Sequence, residues 1–419
     1  MKTKDEVSIN FLRSLESELC KIKIDSVTSI GQLVCTSLYQ GIYCGDYLDE
    51  SLLKKIKLKL NLALFNYRNR RPKFDNFNYF KNIDGLITFS FDRDDLIYLD
   101  SIVARHFIDH QKKIQAIFFD NAIIKSKTIK STLDMNGLGI LNISDILSFY
   151  NPKLLEKYNH QIKLAENILV KSLKDYNIYN DFLADNLRLD LRTQIFHYCS
   201  WLKFLKTIKP SFTMVESDRN NLSSPIIMAS KKLKIPSFSL MHGNVQFDFV
   251  YVPILADKLL VWGDYQKELL IKLGANEDQI KVVGAPQFSK NIHSKKTGAL
   301  NELSIQDDKR IIVLATSNYK NISYRLKLIR IFAEALKVLS KDNWHGIIKM
   351  HPGDDLGLYK DYSNCEYLTI FTSDKISKET SFEIAEYFCF FSSAIAFEAL
   401  LKQKKLILIK VDNEDIGEC

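Results

Sequence analysis

The run PSFTMVESDRNNLSSPIIMASKKLKIPSFSLMHG, Pro210 to Gly243, constrains this chain more than any other. Phe212 to Val215 is a short apolar strand that stops at Glu216 and Asp218. Pro225 to Lys232 has helical spacing, with proline where a first helical turn tolerates a missing N–H. Ile235 to Met241 is a second strand, and His242-Gly243 stands at its carboxyl end. Strand, helix and strand in that order make a βαβ unit, whose strands run parallel. Ligands of open parallel sheets sit outside the carboxyl ends of the strands. One such end here offers carboxylates. The next offers an imidazole beside a glycine, where a backbone can approach a ligand closely. Glu216 is the first candidate for a general base and Asp218 the second, with helix capping as the other role open to Asp218.

The same alternation continues on both sides. Upstream, Asp84-Gly85 opens a strand at Leu86 to Phe91, Asp94 to His106 is an amphipathic helix, and Gln115 to Phe119 is a strand. Leu154 to Leu173 and Phe182 to Leu205 are long periodic helices. Downstream, Ala256 to Gly263 is a strand, Asp264 to Leu273 a helix closed by Gly274, and Ile280 to Val283 a short strand. Residues 1–73 read as a mainly helical N-terminal extension, with apolar periods at Phe11 to Ile22 and Leu52 to Phe65. A basic run, Arg68 to Lys73, meets Phe74, Phe77, Tyr79 and Phe80. One short cluster in a loop suits a solvated turn or a phosphate or lipid contact better than nucleic acid.

From Gln287 to Asp308 the chain turns polar, and 291–308 reads as a linker between an N-terminal domain, 74–290, and a C-terminal domain, 309–419. In the second domain Arg310 to Ala315 is a buried-type strand followed by Thr316, Ser317 and Asn318. A helix covers Ser323 to Ser340, and Gly346 to Met350 is a strand that carries Lys349 and ends in His351-Pro352-Gly353-Asp354. Tyr367 to Phe371 is a strand, Phe382 to Tyr387 a short helix, Phe388 to Phe391 a strand, and Leu406 to Lys410 the last strand. Ser392-Ser393 starts a helix that carries Glu398 through Leu401. Hydroxyls and open N–H groups at a helix N-terminus favour an anion, although serine is also an ordinary N-cap. Glu398, in an otherwise apolar stretch, needs a partner, for which a ribose diol or a lysine would serve. The imidazole of His351 can donate to a phosphate.

Several classes are excluded or disfavoured. The sequence has no Walker loop, no GxGxxG after a strand and no GxSxG elbow. Asp92-Arg93-Asp94 imitates a metal-binding DxD but stands alone, and His106 with His110 lacks a third ligand, so no metal is expected. Seven scattered cysteines without CxxC spacing suit a reducing cytoplasm. The N-terminus lacks a signal-peptide apolar region, and no apolar run reaches the roughly 20 residues that span a bilayer. A net charge of +8 favours anionic ligands or an anionic membrane face, and it also fits plain lysine-rich composition.

Taken together, the Glu216 strand end, KIPSFSLMHG, ADKLLVWGDYQKELLIKLGANEDQIKVVGAPQF, KMHPGD and FFSSAIAFEALLKQKKLILI resemble the GT-B-type glycosyltransferases of bacterial surface polysaccharide assembly. That group includes capsule synthesis proteins, sialyl- and polysialyltransferases and CDP-glycerol glycerophosphotransferases. The matching segments lie between Ser211 and Ile409. The resemblance implies two Rossmann-like α/β domains facing a cleft, no obligatory metal, and no cofactor beyond a nucleotide-sugar substrate. His351, Pro352, Ser392 and Ser393 would contact the nucleotide and its phosphates with Lys349, Thr316 and Ser317 nearby, and Glu398 would sit near the ribose. Glu216 and His242 would face a glycan or lipid-linked acceptor, and Gly243 is counted among the nucleotide-sugar-binding residues. The expected activity is transfer of a sugar to a growing capsule or lipopolysaccharide glycan, in the cytoplasm or at the cytoplasmic face of the inner membrane. A glycerophosphotransferase, a UDP-sugar 2-epimerase and a non-catalytic assembly subunit are the alternatives. Two departures stand out: Met241 where the group often has glutamine, and Ile83 before Asp84-Gly85 where sialyltransferases have a second acid. The last strand lies about ten residues before Cys419, so the C-terminal domain is expected to lack the terminal crossing helix of such folds.

Overall fold

The computed structural model describes residues 9–39, 42, 83–90, 94–119, 129, 138–147, 153–243, 245, 251–288, 300, 303–306, 308–317, 322–351, 353–372, 374–391 and 395–409. The chain forms two compact units, Met1–Gln287 and Phe288–Cys419. The Leu52 to Phe65 helix, the basic-aromatic run, Asp92, Pro352, Ser392 and Ser393 lie outside the described residues.

In the first unit the strands are β1 (Gly85–Phe89), β2 (Ile114–Phe118), β3 (Leu138–Asn142), β4 (Phe212–Val215), β5 (Ser237–Leu240), β6 (Lys258–Val261) and β7 (Ile280–Val282). They make one parallel sheet in the order β3-β2-β1-β4-β5-β6-β7. The second unit has β8 (Arg310–Ala315), β9 (Trp344–Lys349), β10 (Leu368–Phe371), β11 (Tyr387–Phe390) and β12 (Lys405–Leu408), also parallel, in the order β10-β9-β8-β11-β12. Both are Rossmann-like orders, which run outward on one side of the first strand and then outward on the other.

These strands are apolar almost throughout because both sheet faces are covered. Leu86, Ile117 and Val215 point into the same core as the Asp181–Ile208 and Ser224–Leu233 helices, while Ile87, Phe89, Phe118 and Met214 meet the Asp94–Asp109 helix on the other face. The second unit divides likewise, with Ile311, Val313 and Ala315 on one face and Ile312 and Leu314 on the other. Gly346 in β9 is a packing requirement, because a Cβ there would overlap the Leu336 side chain of the Ile322–Leu339 helix.

Helix limits follow from local chemistry. The Asn180 side chain accepts from the Leu183 N–H at 2.6 Å and starts the 28-residue Asp181–Ile208 helix. Gly274, at φ +95°, follows the Asp264–Lys272 helix in the left-handed region that glycine tolerates. Two differences from the expected elements are instructive. The Ser377 hydroxyl accepts the Thr380 N–H at 2.9 Å, so the helix forms at Lys378–Ile384 and Tyr387 already belongs to β11. The strand β3 has no counterpart among the expected elements. Among the described residues no helix is long and apolar enough to cross a membrane.

The N-terminal helices Ile9–Cys20 and Ile30–Leu38 share the first unit's core through Leu12, Leu15, Leu19, Leu33 and Val34. They are also fastened by charge. Glu16 takes both terminal nitrogens of Arg219 at 3.1 and 2.9 Å, in a pair almost wholly withdrawn from water. Arg219 also donates to the Pro253 carbonyl at 3.2 Å, and its own carbonyl accepts the Thr36 hydroxyl. Breaking a buried pair from one side strands the other charge. Glu16→Ala should therefore cost about 3–5 kcal/mol in urea unfolding. A loss below about 1 kcal/mol would show instead that the pair behaves like a surface one.

Candidate active site

Polar groups collect at the carboxyl ends of the strands in each unit. In the first unit they surround the point where strand order reverses, between β1 and β4. Glu216 follows β4 and is 0% exposed. The Ser90 amide, just past β1, donates to both of its carboxyl oxygens at 3.2 and 3.0 Å. Asp100, on the Asp94–Asp109 helix, brings a second carboxyl to Glu216. Burial, and then the Glu216 charge, push Asp100 well above the usual carboxylate range. Sequence reading missed Asp100. Its signal was an acid among Leu96, Ile97, Leu99 and Ala104, which are all buried.

His242 is half-buried, and its Nδ1 lies 2.8 Å from the main-chain carbonyl of Glu216. A carbonyl only accepts, so Nδ1 carries the proton and Nε2 of the neutral ring has the lone pair. The turn is held further by the Trp262 indole N–H on the Met241 carbonyl at 2.8 Å and by the Tyr251 hydroxyl on the Gly243 carbonyl at 3.2 Å. The nearest atom to a Cβ placed on Gly243 would be that hydroxyl, at 3.8 Å, so packing does not require glycine there. Asp218 is buried and its Oδ2 accepts the amides of Leu255 and Ala256 at 2.6 and 2.7 Å. Burial raises its pKa against the opposing pull of those amides and Arg219. Its carboxylate fastens the 255–256 loop rather than a helix end.

In the second unit the ends of β8 and β9 meet. The Thr316 hydroxyl donates to Asp354 Oδ2 at 2.6 Å and accepts the His351 amide at 2.8 Å. Asp354 also takes the Tyr359 hydroxyl at 2.6 Å and an ion pair from Arg325, with both charged side chains buried. The Gly353 amide donates to His351 Nδ1 at 3.0 Å. An amide N–H only donates, so here Nδ1 has the lone pair and the Nε2 of neutral His351 is a donor. Lys349 ends β9 half-buried; burial first, and then the neighbouring Lys378, lower its pKa, while Glu379 opposes them. Lys378 in turn bridges both oxygens of Glu398 at 2.9 and 2.7 Å. Ser317 follows Thr316, half-buried. The sequence reading did not single out Lys378.

The two strand-end clusters thus differ in chemistry. The first combines carboxyl groups with an imidazole whose lone pair sits on Nε2, which suits removing a proton. The second combines an imidazole N–H with two ammonium groups, which suits stabilising anionic oxygens. Elsewhere, His110 Nδ1 is engaged by the His106 carbonyl at 2.7 Å, which spends one ring nitrogen of that pair locally.

The Thr316 hydroxyl serves two partners in the second cluster, so Thr316→Val should destabilise the protein by about 1–3 kcal/mol in denaturant titration. A change within about 0.5 kcal/mol, the size of an ordinary surface substitution, would show that water replaces it freely.

No family model matches the chain, and no curated protein sequence does. Solved structures do resemble it. A candidate UDP-N-acetylglucosamine 2-epimerase of Listeria monocytogenes gives a TM-score of 0.51 at 12% identity, over 80% of this chain and 80% of that one. A UDP-GlcNAc 2-epimerase of Methanocaldococcus jannaschii gives 0.49 at 16% identity, over 79% of this chain and 85% of that one. A glycosyltransferase of Rickettsia africae gives 0.48 at 12% identity, over 80% and 81%. At such identities the likeness concerns architecture. The chain has two parallel-sheet α/β units of the GT-B-like kind, an architecture it shares with the Listeria structure.

Proposed function

We propose that the protein is a metal-independent glycosyltransferase that moves a sugar from a nucleotide-sugar to a growing surface glycan. The observation that carries this reading is the contrast between two strand-end histidines, His242 with Nδ1 on a carbonyl at 2.8 Å and His351 with Nδ1 on an amide N–H at 3.0 Å, which in neutral rings makes Nε2 an acceptor in the first and a donor in the second. Transfer of a glycosyl group needs one group that accepts a proton and another that stabilises a departing phosphate.

In this reading the second unit takes the nucleotide. His351, Lys349 and Lys378 receive its phosphates, assisted by Ser392 and Ser393, with Pro352, Thr316 and Ser317 as further contacts of the nucleotide-sugar. Glu398 takes ribose hydroxyls while it keeps Lys378 at hand. The first unit takes the acceptor at His242, with Gly243 as a contact of the nucleotide-sugar. Glu216 is wholly buried, so we assign the base to His242, with Glu216 and Asp218 holding the turns around it. The acceptor oxygen bonds to the anomeric carbon as its proton passes to His242 Nε2. The anomeric carbon–oxygen bond breaks, and its electron pair leaves on the nucleotide phosphate, beside the His351 N–H. The positive net charge suits a place at the cytoplasmic face of an inner membrane, where lipid-linked acceptors lie. Such an enzyme would serve capsule or lipopolysaccharide synthesis.

One observation favours a second reading. Three buried carboxyl groups, Asp100, Glu216 and Asp218, gather in the first unit. Acid-rich surroundings also suit a UDP-sugar 2-epimerase, which takes a proton from a sugar carbon and returns it to the other face.

The test is a thermal-shift panel with CMP, CDP, UDP and GDP, followed by product analysis with and without a glycan acceptor. A bound nucleotide should raise the midpoint of the wild type and do so less in His351→Ala. His242→Ala should keep the shift and lose about 100-fold or more in turnover, as removal of a general base does. No shift with any nucleotide would sink the reading. Uptake of solvent deuterium at sugar carbon 2 without acceptor would install the epimerase in its place.

A further inference from the structure

The contact between Asp100 and Glu216 has no role in the chemistry above as it stands. Asp100 is 1% exposed and Glu216 0%. Among the described residues neither Asp100 oxygen meets an N–H or O–H donor, whereas Glu216 receives the Ser90 amide on both of its oxygens. Among the described residues, Glu216 is the ionisable group that bears on Asp100. Two carboxylates in contact away from water cannot both ionise. The proton belongs on the group that nothing else donates to, because the Ser90 amide favours the charged form of Glu216.

We infer that Asp100 is held as a neutral carboxylic acid that donates to the Glu216 carboxylate, and that it acts as a positioning residue for His242. The path is short. The carboxyl end of Glu216 is held between Asp100 and the Ser90 amide, and its main-chain carbonyl is the acceptor that fixes the proton on His242 Nδ1. Holding the side chain restrains the carbonyl, and the carbonyl sets which ring nitrogen has the lone pair. A free anion at Asp100 would push Glu216 away; a neutral donor draws it in. The part that concerns His242 as a base rests on the function proposed above, whereas the protonation of Asp100 does not.

Infrared difference spectroscopy of the purified full-length protein tests the first part without any substrate. At neutral pH the wild type minus Asp100→Asn should show a carboxylic-acid C=O band, and wild type minus Asp218→Asn should not show the same band. Absence of the Asp100-dependent band overturns the inference, whatever the enzyme does. The second part is read in kinetics. Asp100→Leu, which has no donor, should lower kcat by about 10-fold or more and leave KM for the nucleotide-sugar within about 2-fold. Asp100→Asn supplies an N–H donor with no proton to lose and should restore most of that kcat. Equal loss in Asn and Leu variants would overturn the positioning role. If Asp100→Leu does not fold, the histidine nitrogen NMR of Asp100→Asn decides: His242 should keep its Nδ1-protonated tautomer, and a shift to the other tautomer refutes the path.

Discussion

Parallel strands need crossovers, and crossovers of one hand place successive helices on one face of the sheet. When the order turns back on itself, the helices must change face. This happens between β1 and β4 and again between β8 and β11. The loops leaving those strands part in opposite directions, so the strand ends between them are left without a helix above. His242 follows the adjacent β5 and His351 the adjacent β9, while part of each cluster stands at that opening. Glu216 follows one of its edges and Ser90 the other, while Thr316 follows β8. The remaining residues of these strands face packed helices and have little choice but to be apolar.

Each histidine is set by groups behind it rather than by its own sequence neighbours alone. Behind His351 stands Asp354, which gathers a threonine hydroxyl, a tyrosine hydroxyl and an arginine onto one buried carboxylate. Behind His242 stands the Glu216 main chain, secured by the carboxyl it carries. In both units buried charge is tolerated because donors or a counter-charge surround it, which is the condition for keeping such groups out of water. Exposed pairs such as Arg310 with Glu386, at 2.7 Å, contribute far less for a similar distance.

What could be read from the sequence was what repeats locally. The strand at Phe212, the helix after Ser224 and the strand before His242 announce themselves through apolar runs, a proline in a first turn and abrupt polar stops. So do β8 and the long helix after Asn180. The C-terminal elements were harder, because Phe382 to Phe391 is mostly apolar, interrupted by Glu383 and Glu386 alone, and carries no glycine or proline to mark the change from helix to strand at Ala385, while the helix start is marked by the Ser377 cap. Asp100 was illegible as a site residue because its partner lies in another element, after β4, and no periodicity signals a meeting of that kind. The same holds for Lys378 with Glu398. The histidine tautomers could not be read at all, since each depends on a main-chain atom placed by the turn.

The Glu16–Arg219 pair also changes what counts as the folded body of the first unit. A chain trimmed to its sheets and their flanking helices, as is common for expression or crystallisation, would discard the helix that carries Glu16. Arg219 would then lose the carboxylate that takes both its terminal nitrogens, one residue from Asp218 and three from Glu216. The fragment would be destabilised at the very loop that it was cut down to study. The leading helix is thus better thought of as part of the first unit's core, tied to the loop after β4, than as an appendage to be removed.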